Sequence, residues 1–220
     1  MKIREEEVLR YLGCGGRPAD ERLRRTVASC VEALRKACTP RSVARVFPAG
    51  FPAGGVRIGN LFFPGSGLRN HIRGCDKAVL FAATLGARAD ILLLQASKTD
   101  MSRAAVLQAA AAAMTESYCD EQDAKIAAEA AKEGLYLRPR YSPGYGDFSI
   151  AHQRDILTTL DCPRRIGLSM TESCMLVPTK SVTAVIGLTP EKSGCTISKC
   201  MECNSENCPF RKETEDESAQ

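Results

Sequence analysis

Ten residues, Lys77-Ala78-Val79-Leu80-Phe81-Ala82-Ala83-Thr84-Leu85-Gly86, restrict the fold of this 220-residue chain more than any others. They form a continuous apolar run bounded by turn residues, with no alternation of polar and apolar positions. A strand written this way is covered on both faces, so the run predicts the buried centre of a sheet. Before it, Val43 to Phe47, Val56 to Ile58 and Leu61 to Phe63 are short β-like runs separated by Pro and Gly clusters, which predict antiparallel strands. Ser181 to Leu188, rich in β-branched residues, predicts another strand late in the chain.

Helical periodicity occupies most of the rest. Ile3, Val8, Leu9 and Leu12 make a short apolar stripe that Gly13 ends, and a second helix is predicted after Pro18, with Asp20 and Glu21 at its positive end. It runs to about Ala37 on Leu23, Val27, Cys30, Val31 and Leu34, with Cys30 and Cys38 as small core residues. Leu68 to Arg73 suits a single turn or short helix, and residues 87 to 98 suit a helix. The alanine-rich stretch from about Ser102 to Lys132 predicts a long helix, or two broken near Tyr118 to Gln122, with Ser102 capping the start and Gly134 the end. Ile150, Ile156, Leu157 and Leu160 mark a last helix, ending before Pro163.

The composition excludes several classes of function. A net charge of +4, carried by scattered arginines and lysines without interleaved aromatics, describes solvated helix faces and speaks against nucleic-acid binding. Ala78 to Ala87 is too short to span a bilayer, and the charged N-terminal residues lack the apolar core of a signal peptide. The expectation is therefore a cytoplasmic protein, whose eleven cysteines are reduced thiols or metal ligands.

Chemistry concentrates in Arg138-Pro139-Arg140-Tyr141-Ser142-Pro143-Gly144-Tyr145-Gly146-Asp147. Two prolines and two glycines forbid a helix or a central strand, so this is a loop with a restrained backbone. It presents cations, aromatic faces and an anion together, which suits a small ligand carrying a carboxylate, an amine and a flat ring. The long helix leads into it through Leu135 to Leu137. On that helix Glu116 and Asp120, four apart, share a face, where they would take an amine, ribose hydroxyls or a metal. His71 and His152 have no partners at metal-ligand spacing and read as structural residues.

The C-terminal segment carries a separate signal. Cys195, Cys200, Cys203 and Cys208 follow C-x4-C-x2-C-x4-C, with Pro209 directly after the last. Four thiols this close can converge on one metal centre. Zinc would take four thiolates in a closed tetrahedral site. An iron–sulfur cluster would take the same four, and both the C-x4-C-x2-C portion and the Cys-Pro pair match ferredoxin spacings. The remainder, residues 212–220, is acidic and predicts disorder.

Three segments together resemble a known family. Arg140 to Tyr145 resembles the R-x-x-x-G-Y signature of the activation domain of cobalamin-dependent methionine synthase, and Ile166-Gly167-Leu168-Ser169-Met170-Thr171-Glu172-Ser173 resembles its I-G-L-x-L-T-E-S stretch, with Met170 for leucine. Pro178 to Gly187 resembles the strand that follows. The resemblance implies an α+β fold, a curved antiparallel sheet flanked by helices, over residues 1–190. Residues 191–211 then form a cysteine-rich metal-binding extension outside the resemblance. It also implies that the chain binds S-adenosylmethionine and caps a cobalamin-carrying protein, so that one-electron reduction and methyl transfer restore methylcobalamin from inactive cob(II)alamin. By position, Arg140 would bind the methionine carboxylate, and Arg140, Ser142, Gly144 and Tyr145 would form one wall of the pocket. Glu116 or Asp120 would meet the ammonium or sulfonium charge.

Because the unit here lacks cobalamin, folate and homocysteine modules, it would act in trans on a short methionine synthase or another corrinoid protein. Its electron would come from a flavodoxin or ferredoxin, or from an iron–sulfur cluster in the extension itself. The competing expectation is a non-catalytic adaptor or chaperone of a corrinoid methyltransferase, with a structural zinc. An ordinary methyltransferase fits poorly, since no glycine-rich strand–turn–helix of the nucleotide-binding kind is present.

Overall fold

The computed structural model describes residues 3–14 and 19–192. The apolar run is strand β4 (Lys77–Thr84), and every residue of it after Lys77 is buried. It lies between β1 (Arg41–Gly50) and β8 (Ser181–Thr189), antiparallel to both, with Ala82 opposite Val43 on one side and Thr183 on the other. The six-stranded sheet has the order β3-β2-β1-β4-β8-β5, where β2 is Gly55–Ile58, β3 Leu61–Pro64 and β5 Tyr136–Leu137. A two-stranded hairpin, β6 (Ser169–Met170) with β7 (Leu176–Val177), stands apart from it. An α+β fold with an antiparallel sheet and flanking helices is therefore what the chain adopts.

The period of two along β4 divides the interior. Ala78, Leu80 and Ala82 face a core with Phe63, Ile72 and Val185, closed by α6 (Gln153–Thr159) and α7 (Cys162–Ile166). Val79, Phe81 and Ala83 face Ala184, Ile186 and Leu188 and pack beneath helix α5 (Met101–Ala131), against Cys119 and Ala130. A third cluster is mainly helical. There α1 (Glu5–Tyr11), α2 (Glu21–Ala37) and α4 (Ala87–Thr99) bury Val8, Val27, Leu34 and Ala89 against Leu107, Ala110 and Met114 of α5. One helix thus closes two of the three cores, and its buried alanines let the neighbouring elements come close.

Several local expectations change. α5 is one unbroken helix of 31 residues, since residues 101–131 contain neither Gly nor Pro and the polar stretch at Tyr118 to Gln122 is no obstacle to helix. Its cap is Asp100, whose side chain accepts from the Arg103 N–H at 3.0 Å, not Ser102. Asp20 caps α2 as expected, accepting from Leu23 at 2.7 Å. β1 runs past Phe47 to Gly50, pairing with β4 as far as Pro48 and then with β2 at Ala49 and Gly50. Pro163 opens α7 in its first turn, and Leu68 lies in a short helix, α3 (Gly67–His71). Burial pushes the Cys119 and Cys162 thiols up to about 12, so these core cysteines are inert packing residues.

Candidate functional site

The loop after β5 is placed by two backbone anchors on β8. Arg138 donates its N–H to the Gly187 carbonyl at 2.8 Å, and Tyr141 exchanges hydrogen bonds with Val185 at 2.9 and 2.8 Å. Between them Pro139 has no N–H to give, so the ladder is interrupted there. Arg140, inside the interruption, reaches across to α5.

Three carboxylates of α5 meet it. Glu116, Asp120 and Asp123 follow one another by four and three residues and so share a face of the helix. The Arg140 Nη2 donates to Glu116 at 2.9 Å and to Asp120 at 2.8 Å, and Nη1 donates to Asp123. The Arg140 side chain is only 16% exposed and Asp123 29%, whereas Glu116 and Asp120 are more open. Burial pushes the Asp123 carboxyl up to about 6, and the neighbouring Asp120 and Glu116 charges add to this against the pull of Arg140. For Arg140, burial works against the charge, but Asp123 and its neighbours outweigh it and the pKa rises. One guanidinium facing three carboxylates leaves a surplus of negative charge.

Sequence reasoning brought Glu116, Asp120 and Arg140 together and missed Asp123, whose signal was the continuation of the same helical stripe. Arg140 stands between Glu116 and Asp120, the pair expected to take an amine, ribose hydroxyls or a metal. Among the described residues no group of three or more His, Cys, Asp or Glu side chains is placed to hold a metal ion. Cys195, Cys200, Cys203 and Cys208 lie outside the described residues. A groove of about 360 Å³ between α1 and α5, lined by Glu7, Glu116, Ser117, Asp120 and Glu121 among others, gives solvent access to the outer carboxylates.

The second half of the loop builds an aromatic platform. Gly144 has φ +98°, a conformation that favours glycine, and a Cβ there would sit 3.2 Å from the Ile150 side chain. Its N–H donates to the Phe148 carbonyl at 2.7 Å, and the Tyr145 N–H to the Ser142 carbonyl at 3.2 Å. Tyr141 stacks on Phe148 and meets Tyr145 edge-on with ring centres 5.9 Å apart, leaving Tyr145 48% exposed beside the exposed Ile150. Asp147, expected to present an anion, is instead consumed. It accepts from the Ser66 and Gly67 N–H groups at 2.6 and 2.8 Å, ties the loop to the start of α3, and is held below the usual carboxylate range by those donors.

Both histidines are structural, as expected. His71 bonds the Pro139 carbonyl at 2.7 Å, and His152 lies against Phe63 and Phe148 with Asp155 at 2.9 Å. Thr171 to Cys174 form the β6–β7 turn, held by Gln153 donating to the Cys174 carbonyl at 2.9 Å.

The raised Asp123 carboxyl makes a stability prediction. A folded value above the unfolded one favours the folded state at low pH, and this contribution is lost as pH rises through about 6. Relative to Asp123→Asn, the wild type should lose about 1–3 kcal/mol between pH 4 and 7, at roughly 1.4 kcal/mol per pKa unit. Denaturant titrations of both proteins across that range check it, and a difference independent of pH would contradict the burial of Asp123.

Comparison with known proteins gives the family and the fold. The sequence pattern of the family described as "Vitamin B12 dependent methionine synthase, activation domain" matches residues 75–213, more than half of the chain and through all four C-terminal cysteines. Among solved structures, the crystal structure of the MetH reactivation domain bound to AdoHcy superposes with a TM-score of 0.61 at 18% identity. The superposition covers 79% of this chain and 66% of that one, so this chain spans a little under two thirds of its solved neighbour. No curated protein matches the chain. The chain belongs to the family of the activation domain of vitamin B12-dependent methionine synthase.

Proposed function

We propose that this chain is a stand-alone reactivation subunit that binds S-adenosylmethionine and presents it to a cobalamin-carrying protein, a short methionine synthase or another corrinoid protein. Cob(II)alamin of the partner, one electron and S-adenosylmethionine would give methylcobalamin and S-adenosylhomocysteine. Family membership supports this, as does a fold shared with a domain that binds AdoHcy.

The observation that carries the reading is the guanidinium of Arg140 set among three carboxylates. A free carboxylate approaching this site would meet net negative charge. A zwitterionic amino-acid head would not: its carboxylate replaces Asp120 or Glu116 on Arg140, and its ammonium pairs with the carboxylate so released. One ion pair is exchanged for two, and a sulfonium adds a further charge of the favoured sign. Ser142, Gly144 and Tyr145 would then extend the wall, with the exposed rim of Tyr145 and Ile150 offering an apolar surface to a flat macrocycle.

Titration calorimetry with S-adenosylmethionine tests this. Wild type should bind, and Arg140→Lys, which keeps the charge but loses the planar fork, should bind at least about tenfold more weakly. No binding to wild type removes this reading in favour of a non-catalytic adaptor.

For the extension, the proposal is an iron–sulfur cluster on Cys195, Cys200, Cys203 and Cys208, supplying the electron directly or taking it from a flavodoxin or ferredoxin; structural zinc is the alternative. The spacing of the thiols supports it. Anaerobic purification should yield iron and sulfide with visible absorbance, while stoichiometric zinc and a colourless protein would establish the alternative.

A further inference from the structure

We propose that Asp123 is a positioning residue of the Arg140 site: it holds Arg140 in place through Nη1 while a ligand's head group exchanges with Glu116 and Asp120 at Nη2. The inference rests on the reading of this site as a seat for S-adenosylmethionine. The two ends of the guanidinium are bound differently. Nη2 is shared between Glu116 at 2.9 Å and Asp120 at 2.8 Å, whereas Nη1 donates to Asp123. Glu116 and Asp120 are 42% and 58% exposed and both line the groove between α1 and α5, while Asp123, at 29%, is not part of that lining. Its Oδ1 is buried and has no hydrogen-bond partner among the described residues. A head group entering by the groove therefore reaches the Nη2 side first, and the Asp123 contact lies behind it.

The same arrangement ties the anchor to the charge of the ligand. Arg140 of the loop and Asp120 and Glu116 of α5 act on the Asp123 carboxyl. Cys119, one turn back on α5, is neutral, because burial pushes its thiol up to about 12. α1 brings Arg4 and Glu7 to the groove side, β5 and the residue after it contribute Tyr136 and Arg138, and β8 has no ionisable side chain. Without ligand, burial and the two neighbouring carboxylates leave Asp123 partly protonated near pH 6, against the pull of Arg140. S-adenosylmethionine carries one net positive charge. Its carboxylate takes a place on Nη2, its ammonium pairs with the carboxylate so released, and its sulfonium reduces the negative surplus that remains. Asp123 then gives its proton to solvent and holds Nη1 as a charge-assisted pair, so the anchor strengthens as the site fills.

Titration calorimetry of the full chain with S-adenosylmethionine, between pH 5 and 7 and in two buffers of different ionisation enthalpy, tests the proposal. A return of the Asp123 carboxyl toward its ordinary range on binding releases roughly 0.4 proton per ligand at pH 6 and raises the affinity of wild type roughly fivefold from pH 5 to 7. Asp123→Asn, which keeps an acceptor for Nη1 without the charge, should bind within about twofold of wild type at pH 5, release no proton, and end roughly fivefold or more weaker at pH 7. Asp123→Ala, which leaves Nη1 unheld, should bind more weakly than Asp123→Asn at both ends of the range. The proton release of wild type is read without any variant, so it stands even if a variant fails to fold. Wild-type binding with no proton release and no dependence on pH, the same dependence in Asp123→Asn, or equal binding by the Asn and Ala variants would each overturn the role of Asp123 while leaving the S-adenosylmethionine site in place. No binding by wild type at any pH would overturn both.

Discussion

A guanidinium with most of its surface out of water must have its donors met, and Arg140 meets its own on a single helix. The ion-pair cluster with Glu116, Asp120 and Asp123 holds the loop after β5 against α5, while the Tyr141–Val185 bridge holds it against the sheet. Loop, helix and sheet meet at these two attachments. Everything downstream of Arg140, including the Gly144 turn and the platform of Tyr141, Tyr145 and Phe148, is positioned from them.

The site can therefore be precise only if α5 is straight and fixed. Its N-terminal half is clamped by α1, α2 and α4, its C-terminal half lies on β4 and β8, and the carboxylates start where the first region ends and continue alongside the second. The small alanines bring these neighbours close, and the acidic stripe runs along the edge of the packed surface, from the open Glu116 and Asp120 to the more buried Asp123. Burial raises the Asp123 carboxyl and the neighbouring carboxylates add to it, a part that a cationic ligand would offset.

Much of this was legible from short-range pattern. The unalternating apolar run read best as a buried strand and is β4, the alanine-rich stretch read as one long helix or two and is one, and Asp20 sat where a cap is expected. The proline and glycine spacing made 138–147 a loop, and the motif residues Arg140, Gly144 and Tyr145 made it a candidate site. What stayed hidden depended on partners far away in sequence. The role of Asp147 is fixed by N–H groups of Ser66 and Gly67, and that of Asp123 by an arginine in another element. No local pattern announces the first, and the helical stripe that sets Asp123 beside Glu116 and Asp120 does not name its partner. Ser102 was a sound cap by composition, but Asp100 precedes it and its side chain captures the Arg103 N–H. Pro48 looked like a strand end, yet β1 continues there by changing its pairing from β4 to β2.

The central claim is that Arg140 and its carboxylates form the seat of an amino-acid head group. A crystal structure of the chain with S-adenosylmethionine tests it most directly. The account predicts the ligand carboxylate within hydrogen-bonding distance of the Arg140 guanidinium, the ligand ammonium on Glu116 or Asp120, and at least one of the present ion pairs broken. Ligand bound elsewhere, with all three carboxylates still on Arg140, would contradict it.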